Sequence, residues 1–362
     1  MRFVDVDTIR EGMELAKTIY GKNGEVMLRK GTLIKSPFVK RLKELGYPGI
    51  YISDRFSQDI IIEEIISDEL RQKATFTVKK IFGAMESDYS SIRNLDSTVS
   101  DLKNLIDLIM SEIVSTDIAL INIRDLKNFD DYTYYHSVNV AVLSLLIGKG
   151  LGLKEEQLRE LAMSAILHDV GKIFIGSEII NKPELLTVEE YEMVKEHSIE
   201  GYKYLKDDFN VPSKVYVSIL QHHEDYDGNG YPNGISKEQI FLYARIISVA
   251  DVYDAITSER PYKRAMSPNE ALEFILQNEG RKFDPQVVKV ISEKFAPFPV
   301  GTFVKLTNGM MGIVVENFSN TCLKPKIKIF WQDGKPVTQV LINLRDDDRY
   351  KEVHVLSAIS GL

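Results

Sequence analysis

The stretch KEEQLRELAMSAILHDVGK (Lys154–Lys172) decides the fold. Its apolar residues recur at helical spacing from Leu158 to Ala165, which predicts a helix with one face in a core. That face ends in His168, with Asp169 directly beside it. A core face that ends in an imidazole and a carboxylate indicates a buried polar site.

The same pattern recurs in other predicted helices. His136 opens an almost wholly apolar segment, and apolar stripes lead to the other residues of the set. One histidine alone is explained by a hydrogen bond at the edge of a core, but several buried polar groups would each cost about 1–3 kcal/mol if unpaired. A shared cation satisfies them all. The sequence therefore predicts a metal centre built from His136, His168, Asp169, His197, His222, His223 and Asp251.

The donor types narrow the choice of metal. The set has imidazole nitrogens and carboxylates but no thiolate, because the single cysteine, Cys322, lies far along the chain. Such donors suit Fe, Mn or Zn, and seven ligands are too many for one tetrahedral zinc. We expect two divalent ions about 3.5–4 Å apart, bridged by Asp169 as a catalytic residue. A hydroxide that bridges such a pair hydrolyses phosphoesters.

Basic and aromatic residues near these ligands fit a phosphate substrate. Lys172 follows His168 by four residues and is expected on the same face if the helix continues. SERPYKR (Ser258–Arg264) supplies further cations, and in DGNGYP (Asp227–Pro232) the glycines permit close approach while Tyr231 is placed to stack on a base. A solvated basic face and a plain turn are the alternatives for these two segments.

Composition excludes several classes of protein. The 362 residues include 44% hydrophobic and 27% charged residues, as in globular proteins, and the net charge of −8 argues against binding of long nucleic acid. The longest apolar stretch, 138–147, is too short to span a bilayer, and the N-terminus lacks the apolar core of a signal peptide. One cysteine fits a reducing compartment. We expect a cytoplasmic protein without a membrane segment.

The chain divides by pattern into four parts. The pattern of residues 1–55 predicts a small α/β module. Residues 56–127 have helical spacing and are either a helical connecting segment or the helical start of the next domain. Residues 128–300 predict an all-helical domain, and 301–362 a small β module with a turn at Asp333–Gly334. The predicted fold class is mainly α, with a mixed or β module at each end. Capping boxes are expected at Thr187 with Glu190 and at Ser267 with Glu270.

Six motifs together resemble one family, the HD-GYP phosphodiesterases, a branch of the HD metal-dependent phosphohydrolases. In the family's order, over about 130–295, they are HSVNVA (136–141), HDVGK (168–172), EHSIEG (196–201), HHEDYDGNGYP (222–232), ADVYDA (250–255) and TSERPYKR (257–264). The resemblance implies an all-helical HD-type catalytic domain with an iron or manganese centre. It also implies hydrolysis of cyclic di-GMP to pGpG, in some members onward to GMP. The seven ligands would then bind metal, and the residues on the substrate side would be Lys172, Gly230, Tyr231, Arg260 and Lys263.

The chain departs from the family's pattern at one position. Members with three metals carry a glutamate four residues before the first histidine, where this sequence has Tyr132. We therefore expect two metals. The alternatives are an HD phosphohydrolase for another cyclic dinucleotide or nucleotide, a non-catalytic binding scaffold, and, remotely, a di-iron oxygenase, which would need neither the GYP loop nor Arg260 and Lys263. The helical segment 56–127 also allows a homodimer.

Overall fold

The structure is a computed structural model that describes residues 1–21, 25–45, 47, 49–88, 95–115, 132–180, 182, 184–258, 265–319 and 321–359. Its described residues are helical in the middle of the chain and form small antiparallel sheets toward both ends. The predicted fold class, mainly α with a small module at each end, is confirmed.

The middle of the chain is a set of helices around one hydrophobic core. The helix that contains His136 is buried along nearly its whole length, from residue 135 to 148, because it is apolar on all sides and the other helices pack around it. The described helices are α2 (Asp68–Asp88), α3 (Leu95–Ser115), α4 (Tyr132–Gly150), α5 (Glu155–Leu167), α6 (Ser177–Ile180), α7 (Val188–Lys195), α8 (His197–Asp208), α9 (Ser213–Gln221), α10 (Leu242–Thr257), α11 (Pro268–Gln277) and α12 (Pro285–Lys294).

Local signals fix several helix boundaries. Both predicted capping boxes are confirmed: the hydroxyls of Thr187 and Ser267 accept the N–H of Glu190 and Glu270 at the starts of α7 and α11. Such a cap satisfies backbone donors that the first helical turn leaves unpaired. The placement of helix α7 matters for the site, because this helix leads directly into His197.

The described part of 56–127 packs as part of the helical domain. Buried residues of α2, among them Val78 and Ile81, share one core with α4 and α5, and so do Leu105 and Ile109 of α3. Of the two alternatives for this segment, the packing favours the helical start of the domain over a connecting segment.

The N-terminal module has a three-stranded antiparallel sheet in the order β1-β5-β2, a hairpin of β3 and β4, and one helix. Its small core includes Leu15, Ile34, Leu42 and Ile50. Its elements are β1 (Arg2–Asp5), β2 (Glu14–Leu15), β3 (Ile19–Tyr20), β4 (Val26–Leu28), α1 (Ser36–Glu44) and β5 (Gly49–Ser53).

The C-terminal module is a five-stranded antiparallel sheet in the order β10-β6-β7-β8-β9. The predicted turn at Asp333–Gly334 is confirmed: both residues have positive φ, 51° and 74°, which matches a two-residue hairpin between β8 and β9. The strands are β6 (Phe303–Leu306), β7 (Met311–Glu316), β8 (Lys326–Gln332), β9 (Lys335–Asn343) and β10 (Val355–Ala358).

The two terminal modules contact each other. Tyr51 and Ile60 share an apolar cluster with Phe303 and Phe330, and Lys328 pairs with Asp59. Their contact was not predicted, because it joins residues more than 240 positions apart.

Candidate metal centre

The predicted ligands come from five helices that converge in the core. His136 lies on α4 and Asp251 on α10, while His197 is the first residue of α8. The other two pairs follow directly after helices: His168–Asp169 after α5 and His222–His223 after α9.

Helix ends, rather than helix interiors, therefore present five of the seven predicted ligands. The condition under which Lys172 would share a helical face with His168 is not met, because α5 ends at Leu167 and a 3₁₀ turn spans Val170–Phe174. In this turn Lys172 Nζ lies 2.5 Å from Asp169 Oδ2. Gly171 is required here for packing, because a side chain would collide with the carbonyl of His197.

Three groups of ligand-type atoms form where these ends meet. Within each group the donor atoms lie within 4.8 Å of one another. The groups among the described residues are His197, His222 and His223; His136, His168 and Asp251; and His168, Asp169 and His222. The structure thus brings all seven predicted ligand residues together, and the third group joins the first two.

Backbone hydrogen bonds set the protonation of three imidazoles. In each, Nδ1 lies within hydrogen-bond distance of the carbonyl oxygen three residues earlier: His168 of Ala165 at 2.7 Å, His197 of Val194 at 2.6 Å and His222 of Ile219 at 2.6 Å. Because a carbonyl only accepts, Nδ1 carries a proton, and in the neutral ring Nε2 then keeps a lone pair. Backbone carbonyls orient metal-ligating histidines in this way. The Nε2 of His168 is buried and has no hydrogen-bond partner in the described structure, which fits a metal ligand.

Burial keeps two histidines neutral near pH 7. It lowers the pKa of His197 to about 4 and that of His223 to about 3. Burial raises the pKa of Asp169, but Lys172 and His168 outweigh this effect and hold that pKa well below its usual range. Neutral imidazoles and ionised carboxylates are the forms that bind metals.

The two carboxylate oxygens of Asp169 lie near two different imidazoles. Its Oδ2 lies 3.4 Å from His168 Nε2, and its Oδ1 lies 3.6 Å from His197 Nε2. The two oxygens therefore face different groups of histidines. The donor set of imidazoles and carboxylates fits a pair of Fe, Mn or Zn ions.

The loop after α9 closes one side of the site. Glu224 is buried and accepts the N–H groups of Asn233 at 2.7 Å and Ile235 at 3.2 Å. A side chain at Gly230 would collide with the backbone of His223 and Asp225, so this glycine is needed for the loop to close. The sequence pointed to close approach at Gly230, and in the structure the approaching group is the loop's own backbone.

The ring of Tyr231 already has an aromatic neighbour. It stacks on His223, with ring centroids 4.8 Å apart and an interplanar angle of 26°. Lys195 Nζ lies 5.4 Å from the Tyr231 centroid and 4.9 Å from that of Tyr191. Sequence reasoning missed Lys195 and Tyr191, although their position just before His197 was a usable signal.

Some predicted residues cannot be placed. Arg260, Lys263 and Arg264 lie outside the described residues. For Tyr132 the structure describes the backbone, which begins α4, while its side chain lies outside the described part.

Comparison with known proteins finds relatives for the part of the chain that contains these residues. A family model described as HD domain matches residues 113–287. A cyclic di-GMP phosphodiesterase of Pseudomonas aeruginosa is 38% identical over 243 residues, 67% of this chain and 58% of that protein. The cyclic di-GMP phosphodiesterase PdeB of Borreliella burgdorferi is 31% identical over 57% of this chain and 54% of its own length. A 3′3′-cGAMP-specific phosphodiesterase of Vibrio cholerae is 38% identical over 50% of this chain and 42% of its own length.

These matches define an HD domain built around a histidine and aspartate cluster. Residues 113–287 match the HD domain family, and the chain carries both motifs that give the HD-GYP branch its name, at 168–169 and 230–232. It spans about half the length of the relatives that it matches, at 58%, 54% and 42%. None of the described helices combines the length and apolar character needed to cross a bilayer.

Proposed function

We propose that the chain is a metal-dependent phosphodiesterase that hydrolyses cyclic di-GMP to pGpG. The observation that carries the proposal is the position of Asp169, whose two oxygens face two different groups of histidines 3.4 and 3.6 Å away. Relatives named as cyclic di-GMP phosphodiesterases support the choice of substrate.

The proposed cofactor is a pair of divalent ions, Fe or Mn, bound by His136, His168, Asp169, His197, His222, His223 and Asp251. When bound, such a pair supplies Lewis-acid activation of the attacking water and of the phosphoryl oxygens. In this chain the depressed pKa of Asp169 keeps its carboxylate ionised for that role. Its burial also keeps bulk water from competing for the same oxygens.

Lys172 is the proposed catalytic cation beside the ions. Its side chain is 30% exposed while its Nζ lies 2.5 Å from Asp169, so it stands at the boundary between the ligands and solvent. From there it donates to a non-bridging oxygen of the scissile phosphate. Arg260 and Lys263 remain predicted substrate contacts.

The wall formed by His223 and Tyr231 is the proposed contact for the rest of the substrate. The stack of the two rings holds the phenol beside the ligands, and Lys195 adds a cation near the same ring. An aromatic face next to a cation suits a nucleobase joined to a phosphate. Gly230 contributes by allowing the loop to close on His223.

One experiment tests the proposed reaction and its main alternative. Protein loaded with defined Mn or Fe is assayed with cyclic di-GMP, 3′3′-cGAMP and cyclic di-AMP, and products are resolved by mass spectrometry. We expect cyclic di-GMP to give pGpG with the highest kcat/KM. Preference for 3′3′-cGAMP would favour the substrate in the name of the Vibrio cholerae relative. If metal-loaded protein bound a cyclic dinucleotide tightly without hydrolysing it, the chain would be a binding scaffold. GMP among the products would show that hydrolysis continues beyond pGpG.

Location and assembly are also proposed. The buried free thiol of Cys322 supports a cytoplasmic location, because the cytosol keeps thiols reduced. A homodimer through 56–127 would need the outer faces of α2 and α3, such as Phe76, which is 63% exposed, because their inner faces pack in the chain's own core.

A further inference from the structure

A chain of three hydrogen bonds starts behind the candidate ligand His136. Its Nδ1 lies 2.7 Å from Asp254 Oδ2. Asn139 Nδ2 donates to the other oxygen of Asp254 at 2.9 Å, and Asn139 Oδ1 accepts from Arg71 Nη1 at 2.6 Å. The order of donors and acceptors allows one amide orientation, because a guanidinium only donates and a carboxylate only accepts.

All four residues of this hydrogen-bonded series are buried. Arg71 is 6% exposed, Asn139 2%, Asp254 0% and His136 5%. A guanidinium and a carboxylate buried this deeply are tolerated only where hydrogen bonds compensate their lost hydration. Removal of one member would take one hydrogen bond from the next, so the effect would pass along these four residues.

Arg71 stands on α2, well before residue 113, where the match to the HD domain begins. It contacts the helix α4 on both sides of His136: through Asn139, and through Tyr135, whose ring centroid lies 5.9 Å from the guanidinium carbon. A residue outside the matched domain thus supports the turn of α4 that bears a candidate ligand.

We propose that Arg71 is a positioning residue for the metal centre. It fixes the amide of Asn139, which orients Asp254, which holds the His136 ring with Nε2 toward Asp251, 3.1 Å away. The inference rests on the proposed function only in so far as the seven residues bind metal. Hydrogen-bond partners behind a metal ligand typically change metal affinity about 10–100-fold when they are removed.

The test measures metal binding separately from hydrolysis. Mn²⁺ affinity is measured by calorimetry, and the ligand field by visible absorption of Co²⁺-loaded protein, for wild type, R71M, R71K, N139L and the double variant R71M/N139L. Lys73→Met is the matched control, because Lys73 is an exposed cation on the same helix. We expect R71M to weaken one of two Mn²⁺ sites about tenfold or more and to shift the Co²⁺ spectrum. R71K should recover part of the loss, and the control should match wild type.

If R71M and the double variant fold, either of two results would overturn the proposal. One is wild-type affinity and spectrum in R71M. The other is a double variant whose fold-loss of Mn²⁺ affinity is the product of the two single fold-losses. Residues that act through one series of hydrogen bonds are expected to have non-additive effects on the binding free energy. If R71M does not fold, N139L decides: unchanged affinity and spectrum in folded N139L also overturn the proposal. Wild type that binds metal but does not hydrolyse cyclic di-GMP would refute the proposed function alone. Wild type that binds no metal would refute both.

Discussion

The Nε2 atoms of His197 and His222 lie 3.3 Å apart, and neither can donate a hydrogen to the other. Both rings carry their proton on Nδ1, which donates to a backbone carbonyl, so two lone pairs face each other across this gap. Such an arrangement is repulsive unless a cation lies near both nitrogens. The backbone of α8 and the end of α9 therefore hold these rings in the form and orientation that a metal requires.

Asp169→Ala should abolish hydrolysis and lower the metal content. The reason is that its two oxygens face separate groups of histidines, and no neighbouring side chain can replace both contacts. We expect at most one tightly held ion per chain and a loss of kcat of about a thousandfold or more, since metals supply most of the charge stabilisation in such reactions. Elemental analysis and turnover are measured together, with Asp207→Ala, an exposed aspartate on α8, as the control. Full metal content with near-normal turnover would contradict a bridging role.

Two tightly bound ions per chain, not three, are expected in fully reconstituted protein. The residue four positions before His136 lies on the same side of α4, and here it is Tyr132, the first residue of that helix. A neutral phenol with a pKa of about 10 is a poor ligand beside ionised carboxylates. Elemental analysis or anomalous scattering gives the count, and three occupied positions would refute the expectation. Tyr132→Glu should add a third ion, and a count that stayed at two would show that this position does not set it.

The double variant Arg260→Ala with Lys263→Ala should weaken substrate binding without loss of metal. These residues closely follow the ligand Asp251 in sequence, but guanidinium and ammonium groups do not ligate metals. We expect KM to rise about tenfold or more, as for loss of charge-assisted contacts to phosphate. Lys73→Ala with Lys103→Ala removes two exposed cations from α2 and α3 and is the control. Unchanged kinetics would assign the segment to a solvated face, and lost metal would assign it a structural role.

Tyr231→Ala should raise KM more than Tyr231→Phe does. The phenyl ring keeps the stack on His223, 4.8 Å between centroids, whereas alanine removes it. An aromatic pair contributes about 0.5–1.5 kcal/mol, so we expect up to about a tenfold rise in KM for alanine and little change for phenylalanine. Equal kinetics in all three proteins would mean that this ring does not contact the substrate. A loss in Tyr231→Phe as large as that in Tyr231→Ala would instead assign the role to the hydroxyl.

Local signals were sufficient for much of the fold. The boxes at Thr187 and Ser267 start helices as predicted, and Asp333–Gly334 forms the expected turn. These features depend on residues within one turn of each other, so a single sequence contains them. The seven ligand residues were also identified from their donor types and helical spacing, although their ligand role stays a prediction.

Long-range contacts could not be predicted in the same way. Periodicity carried the predicted helices through His168 and His222, whereas packing ends α5 and α9 just before them and turns both side chains into one space. The cluster of Tyr51 with Phe330 joins the two ends of the chain, and no local pattern marks such a pair. Asp254 was visible at helical spacing from Asp251, but its contact with His136 depends on how α10 crosses α4.

Metal affinity should rise with pH between 7 and 9, because of His136. Burial lowers the pKa of His136, but Asp251 and Asp254 outweigh this effect and raise it to about 9 in the metal-free protein. Its imidazole is therefore protonated at pH 7, whereas His197, with a pKa of about 4, and His223, with one of about 3, are already neutral. A metal must displace one proton, so affinity should increase about tenfold per pH unit up to about pH 9 and then level off. Calorimetry in buffers of different ionisation enthalpy should count about one proton released at pH 7.5. Asp254→Asn removes one of the two negative charges that raise the pKa of His136. In this variant the metal affinity should therefore level off at a lower pH than in wild type. An affinity that does not change between pH 7 and 9 would mean that the His136 site is already deprotonated, and that the two aspartates do not hold a proton there.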